Sequence, residues 1–435
     1  MSRHDRTTST DRTTSPLRPP REAIANASPR RIGLIEAAVA MMIVGVGVIV
    51  VTPGHPVAAL LRMVVVAGAG LGLLVLRRRA RPGLVAVILA ALGTAAGVSG
   101  AVIAVPHLLT DGLSVRAAGS AVAAVGGLLG LGCATVMFVR TVSGWRRLLA
   151  LPLIVVVGYR GYLPLGMAVY ATNPPRVALG SATPGVYGLT YRDVSFASAD
   201  GVVLSGWYIP SANRAALVLL PGSGSTRSSV LNHAVVLVRH GYGILMFDPR
   251  GHGRSGGRAM DFGWFGEQDI TAAVTYLRQQ PKLDPDRIGV LGLSMGGEEA
   301  IGALAADRRI RAVVAEGATH RVLADKTWLP EVYGIRGRIQ LGVDAIAYGL
   351  ADLFSGAHPP MSLGDAVVVA APRPVLLIAG GDALDEENAD TRIAARSPAT
   401  VHVWVVPHAG HVAALSVSPA EWEAHVTEFL ATALA

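Results

Sequence analysis

The sequence predicts an α/β domain with a mostly parallel sheet, preceded by an α-helical transmembrane bundle. Three observations carry that prediction. Successive apolar runs fill most of the first 170 residues. Strand-like and helix-like segments alternate from Tyr191 to the end. Between Arg287 and Ala300 a buried strand, a tight turn with a serine at its tip, and a helix follow one another.

Composition supports the division. Apolar residues make up 51% of the 435-residue chain and charged residues only 16%, with a mean hydropathy of +0.46, which is too apolar for one water-soluble domain. The net charge of +8 does not point to nucleic acid, because much of the arginine lies in the N-terminal tail and between apolar runs, where membrane topology explains it. Cys133 is the sole cysteine, so no intrachain disulfide exists and the redox compartment is not indicated.

Residues 1–31 are rich in Ser, Thr, Arg and Pro and read as a disordered basic tail, because they hold too little apolar surface to offset the entropy of folding. Residues 32–171 read as a transmembrane region of four or five helices. Ile32 to Val51, Ala58 to Leu76, Leu84 to Val105 and Ala117 to Val139 each approach the about 20 apolar residues that a bilayer core requires. A fifth segment, Leu148 to Tyr170, carries Arg160 near its centre, at a cost of about 3 kcal/mol, together with Pro152 and Pro164. Its alternative is a broken or re-entrant segment.

Arginine marks alternate ends of these spans. Arg18, Arg21, Arg30 and Arg31 precede the first, Arg77, Arg78, Arg79 and Arg81 follow the second, and Arg140, Arg146 and Arg147 follow the fourth, so these loops are assigned to the cytoplasmic face. Thr52 to Val57 has no Lys or Arg, and Pro106 to Arg116 has only Arg116. A spanning fifth segment therefore places everything after it outside the cytoplasm; otherwise the C-terminal domain stays inside. Small residues such as Gly68, Gly70, Gly126, Gly127 and Gly130 permit close helix packing, and with no paired acids or histidines in the spans the bundle reads as an anchor rather than a transport path.

Residues 172–190, with Asn173-Pro174-Pro175 and Thr183-Pro184-Gly185, read as a linker to a domain over 191–435. A hairpin is expected from Tyr191 to Ala197 and Val202 to Ile209. Strands then begin at Ala216, Gly243, Ile288, Ala312, Val375 and Val401, with helices between them and a last helix from Pro419 to Leu434. Residues from about 319 to 370 form an insertion that includes Trp328, Tyr333, Tyr348, Phe354 and Met361, which suits either a substrate pocket or membrane-facing cap, or simple core packing.

The turn at Gly292-Leu293-Ser294-Met295-Gly296 fits G-x-S-x-G, in which glycines allow a strained turn to lift a nucleophilic hydroxyl clear of the sheet. Gly253-Arg254-Ser255-Gly256-Gly257 also matches, but it follows the polar turn Asp248-Pro249-Arg250-Gly251-His252 and not an apolar strand, so Ser255 is discounted. A serine hydroxyl needs a base to take its proton, and His411, between the last strand and the last helix, is the choice, with His408 as its rival.

From about Tyr191 onward the chain resembles the α/β-hydrolase superfamily, particularly its serine-aminopeptidase-like and esterase-like bacterial branches. The resemblance rests on Leu220-Pro221-Gly222-Ser223-Gly224, Asp248-Pro249-Arg250-Gly251-His252-Gly253-Arg254-Ser255, the turn at Ser294, and Gly410-His411, in that order. It implies the α/β-hydrolase fold with a lid at the insertion, a structural role for His252, and an acid between Ser294 and His411 in sequence. Asp382 is preferred for that acid, Asp385 is the alternative because it opens a run that looks like a capped helix start, and Glu316 is remoter. Oxyanion donors would be the amides of Ser223 and Met295.

The expected activity is that of a membrane-anchored, multi-pass serine hydrolase acting on an ester, thioester or amide of a small acyl or peptide substrate through an acyl-serine intermediate. No metal, organic cofactor or nucleic acid is expected. The alternatives are an acyltransferase on the same residues and a noncatalytic sensor or scaffold of the same fold.

Overall fold

The structure is a computed structural model that describes residues 33–51, 56–141, 144–145 and 160–435. The expected basic tail, residues 52–55 and the first part of the fifth expected span lie outside the described residues.

The N-terminal region is helical: α1 (Leu34–Val51), α2 (Pro56–Leu76), α3 (Pro82–Thr110), α4 (Val115–Thr141) and α5 (160–172). Among the described residues, α3 and α4 are long and apolar enough to cross a membrane, while Leu34–Val50 and Leu60–Leu76 are shorter apolar helices. Glycine lets α3 and α4 touch backbone to backbone, since a Cβ on Gly127 would stand 2.2 Å from the Gly97 nitrogen. At one end of these helices Arg77 pairs with Glu36 at 2.6 Å. Near the other end, Ile49 of α1, Ile103 of α3, Ala123 of α4 and Val169 of α5 form one apolar cluster.

The remainder is built on an eight-stranded sheet of β1 (Arg192–Ala197), β2 (Val203–Ile209), β3 (Ala216–Leu220), β4 (Gly243–Phe247), β5 (Ile288–Leu293), β6 (Ala312–Glu316), β7 (Val375–Gly380) and β8 (Val401–Val406). Their order is β1-β2-β4-β3-β5-β6-β7-β8, antiparallel at β1/β2 and β2/β4 and parallel elsewhere. Every residue of β3 to β7 is buried, which explains why these strands read as unbroken apolar runs: helices cover both faces. On one face α7 (Gly266–Arg278), α8 (Met295–Ala306) and α10 (Leu363–Ala370) bring Leu277, Ile301 and Val367 to the sheet. On the other, α6 (Leu231–Arg239) and α13 (Pro419–Ala433) supply Leu237, Trp422 and Leu430.

Between β6 and β7, where the insertion was expected, the chain forms a short 3-10 turn at Leu323–Lys326, then α9 (Leu329–Phe354) and α10. Gly334, at φ 55° and ψ −126°, kinks α9 near its start. After β7 comes α11 (Glu386–Arg396), and after β8 the single turn α12 (Ala414–Val417).

The segment joining the two regions is pinned. The Asn173 side-chain oxygen accepts from Arg116 of α4 at 2.5 Å and from Arg258 at 3.3 Å. Arg176 donates to the Ser255 carbonyl at 2.5 Å, and the Gly253 amide donates to the Val177 carbonyl at 2.8 Å.

Candidate active site

The site begins where β5 turns into α8. Ser294 sits between them at φ 54° and ψ −124°, a conformation that costs a non-glycine residue energy and is held here by its surroundings. Its amide donates to the Glu316 carbonyl at 2.7 Å. Gly292 permits the turn, because a Cβ there would meet the Gly296 carbonyl oxygen at 2.1 Å. The strain and the missing side chain together carry the Ser294 hydroxyl out over the C-terminal edge of the sheet.

His411, from the loop between β8 and α12, reaches that hydroxyl, with Nε2 2.9 Å from Ser294 Oγ. Its other nitrogen, Nδ1, lies 2.5 Å from Oε1 of Glu386. An ionised carboxylate can only accept, so it sets the tautomer: the proton sits on Nδ1 and Nε2 is left to accept from the serine. The hydrogen bond to Glu386 and that residue's charge raise the His411 pKa above its ordinary value, against partial burial. Glu386 is 2% exposed, and its second oxygen accepts the Gly380 amide at the end of β7 at 2.8 Å.

The acid at His411 is thus Glu386 and neither of the two aspartates expected from the sequence. Asp382 is exposed in the turn after β7 and is bonded through its backbone amide to the Ala409 carbonyl. Asp385 adopts a left-handed conformation at φ 69° just before α11, and its carboxylate accepts from the Tyr333 hydroxyl. The physical reason is reach. The helix starts immediately after Asp385, and the additional methylene of glutamate lets a residue in its first turn extend back to the histidine. The Ser-acid-His order allows glutamate as well as aspartate, and that was the available signal.

Other residues singled out from sequence have structural surroundings. Ser255 is buried, donates to the Asp248 carbonyl at 2.6 Å and accepts the Ser205 amide at 2.9 Å. His252 is buried with Nδ1 2.7 Å from the Arg250 carbonyl, and burial lowers its pKa. Glu316 accepts from the Ala414 amide at 2.9 Å and from the Trp422 indole at 3.1 Å. His408 is exposed at φ 61°.

The two expected oxyanion donors, Ser223 and Met295, flank Ser294 differently. Met295 opens α8 directly after Ser294, and Gly222 and Ser223 border an open cavity of about 650 Å³ together with Asn232, Ser294, His411 and Leu415. That volume suits a small organic ligand. Four residues beyond Ser294, Glu298 of α8 is buried and accepts the amides of Thr319 and His320 at 3.2 and 3.0 Å; burial pushes its pKa up to about 7. His320, also desolvated, is driven down to about 3 and stays neutral.

Residues 211–342 match the family described as serine aminopeptidase, S33. A thiohydrolase of Aspergillus aculeatus is 40% identical over 129 residues, which make up 29% of this chain and 41% of that protein. A polyketide transferase of a Penicillium species is 33% identical over 154 residues, 33% of this chain and 49% of the relative. The chain therefore spans less than half the length of these two curated relatives. An uncharacterized protein of Mycobacterium tuberculosis is 30% identical over 233 residues, 51% of this chain and 72% of its own length. Among solved structures, an esterase of Pyrococcus furiosus superposes with a TM-score of 0.49 at 29% identity, covering 61% of this chain and 99% of that one.

Proposed function

Because the chain belongs to the α/β-hydrolase superfamily, we propose that it has a hydrolase or acyltransferase role and that it is a membrane-anchored serine hydrolase whose nucleophile, base and acid are Ser294, His411 and Glu386. The observation that carries this reading is the continuous relay from Ser294 Oγ through His411 to Glu386, at 2.9 and 2.5 Å.

In this mechanism Ser294 Oγ bonds to a carbonyl carbon as its proton passes to His411 Nε2, and Glu386 stabilises the imidazolium. The oxygen that gains charge is received by the Ser223 and Met295 amides. Collapse breaks the bond to the leaving alcohol, thiol or amine, which takes the proton from His411 and leaves an acyl-serine. Water, deprotonated by the same histidine, then releases the acid. An alcohol or amine in place of water would give acyl transfer with the same residues, and the relatives' names include both a thiohydrolase and a polyketide transferase.

The anchor is proposed to be α1 to α5. The C-terminal domain joins these helices near Arg116 and Asn173, at the end opposite the Arg77–Glu36 pair. The arginine-rich loop after α2 is assigned to the cytoplasm, so this arrangement supports an extracytoplasmic domain.

Labelling of membranes with a fluorophosphonate probe, in wild type, Ser294→Ala and Ser255→Ala, tests the reading. Labelling lost only in Ser294→Ala, and obtained on intact cells with an impermeant probe, is the expected result. A folded wild type that takes no label would point instead to a noncatalytic member of the superfamily.

A further inference from the structure

From Ile339 onward, helix α9 is apolar on the side where a lid helix in water would carry charge. Between Ile339 and Leu353 its exposed positions are Ile339, Gln340, Gly342, Ile346, Gly349 and Leu353, and none is charged. Ile346 is 55% exposed and Leu353 71%. Ile339, Ile346 and Leu353 recur every seven residues, two helical turns apart, and so form one stripe. Charge flanks the stripe at both ends: Arg336 and Arg338 are exposed just before Ile339, and Asp352 beside Leu353 is paired with His358 at 2.8 Å.

The end of α9 meets the N-terminal helices. Phe354, the last residue of α9, packs against the cluster of Ile49, Ile103 and Val169 from α1, α3 and α5. Cations stand at the same level, since Arg258 donates to the Phe354 carbonyl and, with Arg116, to Asn173. An apolar stripe on a helix that ends against membrane-length helices, with guanidinium groups beside that contact, matches the boundary between acyl chains and headgroups.

We propose that α9 lies in the plane of the bilayer, with the Ile339–Ile346–Leu353 stripe among lipid acyl chains, so that the lid segment is a membrane-contacting element. This rests on the membrane-anchored reading and adds to it a lipid partner for the lid. A second copy of the chain packing along the same stripe is the rival occupant.

The test uses the full chain carrying Cys133→Ala, reconstituted in phosphatidylcholine–phosphatidylglycerol vesicles, with a single Ile346→Cys or Leu353→Cys bearing an environment-sensitive fluorophore. Thr432→Cys, on the exposed side of α13, is the water-facing control. At 346 and 353 a lipid-borne nitroxide is expected to quench several-fold more than aqueous iodide, with the opposite order at 432. Iodide quenching at 346 equal to that at 432 would overturn the proposal while leaving the hydrolase reading intact. Protection from both quenchers, with disulfide crosslinking between two copies of the unlabelled Ile346→Cys chain, would overturn it in favour of self-association. Release of the chain from membranes by alkaline carbonate would sink both the anchor and the lid proposal. Lipid quenching without fluorophosphonate labelling would uphold the lid contact and remove only the serine-hydrolase reading.

Discussion

Glu386 ties His411 to the sheet: one carboxylate oxygen lies 2.5 Å from the imidazole Nδ1, and the other accepts the Gly380 amide at the end of β7 at 2.8 Å. Both oxygens are committed, so the carboxylate cannot rotate away, and the orientation of the histidine follows from the position of a strand.

Glu386→Gln keeps the shape but removes the charge and can stabilise the wrong tautomer. A fall in kcat of about 10⁴-fold is expected, with KM much less affected. Asp382→Asn and Asp385→Asn are expected to stay near wild type in the same ester-hydrolysis assay. A comparable loss at either aspartate would move the acid there.

The pH profile follows from the histidine. Only neutral His411 can take the serine proton, and Glu386 raises its pKa, so the acid limb of kcat/KM is expected to lie above the ordinary histidine value of 6.5. In Glu386→Gln that limb should move to lower pH. The linked stability has the opposite sense: a raised folded-state pKa contributes stability that is fully present below the unfolded-state pKa and is lost as pH rises through the folded-state one. A wild-type limb at or below that of the variant would contradict the assigned relay.

Ser255 separates structure from chemistry. Ser255→Ala removes the hydrogen bonds to the Asp248 carbonyl and the Ser205 amide inside a buried turn. A loss of about 1–3 kcal/mol in urea denaturation is expected, with fluorophosphonate labelling of Ser294 retained.

Gly292→Ala probes the turn itself. The added methyl would sit 2.1 Å from the Gly296 carbonyl oxygen, which is backbone and cannot swing aside. Destabilisation of about 1–3 kcal/mol or more is expected, together with loss of probe labelling, because α8 must shift away from Ser294. Wild-type labelling in this variant would show that the hydroxyl does not depend on that close approach.

Much of this was legible in the chain. Strands β3 to β7 announce themselves because burial on both faces demands continuous apolar runs, and the Ser294 turn because glycine is required where the backbone crowds. The meeting of His411 with Ser294 was to be expected from the histidine's place between the last strand and the last long helix. Glu386 escaped because acids in a first helical turn are ordinary complements to the helix dipole, and side-chain reach is not written in spacing. The pinning of the linker was illegible for a related reason. Arg176, Asn173 and Arg258 meet through folding of segments some 80 residues apart, and Asn-Pro-Pro alone reads as a flexible joint.

That pinning has a kinetic consequence. If α1 to α5 anchor the chain as proposed, a C-terminal domain held by Arg116, Arg258 and Arg176 is no tethered ball on a string but a turret fixed at one height and heading. In a bilayer such an enzyme would meet lipid-borne substrates by two-dimensional diffusion. Its rate would then scale with their mole fraction in the surface, and diluting the vesicles at constant composition would leave the turnover of each embedded molecule unchanged.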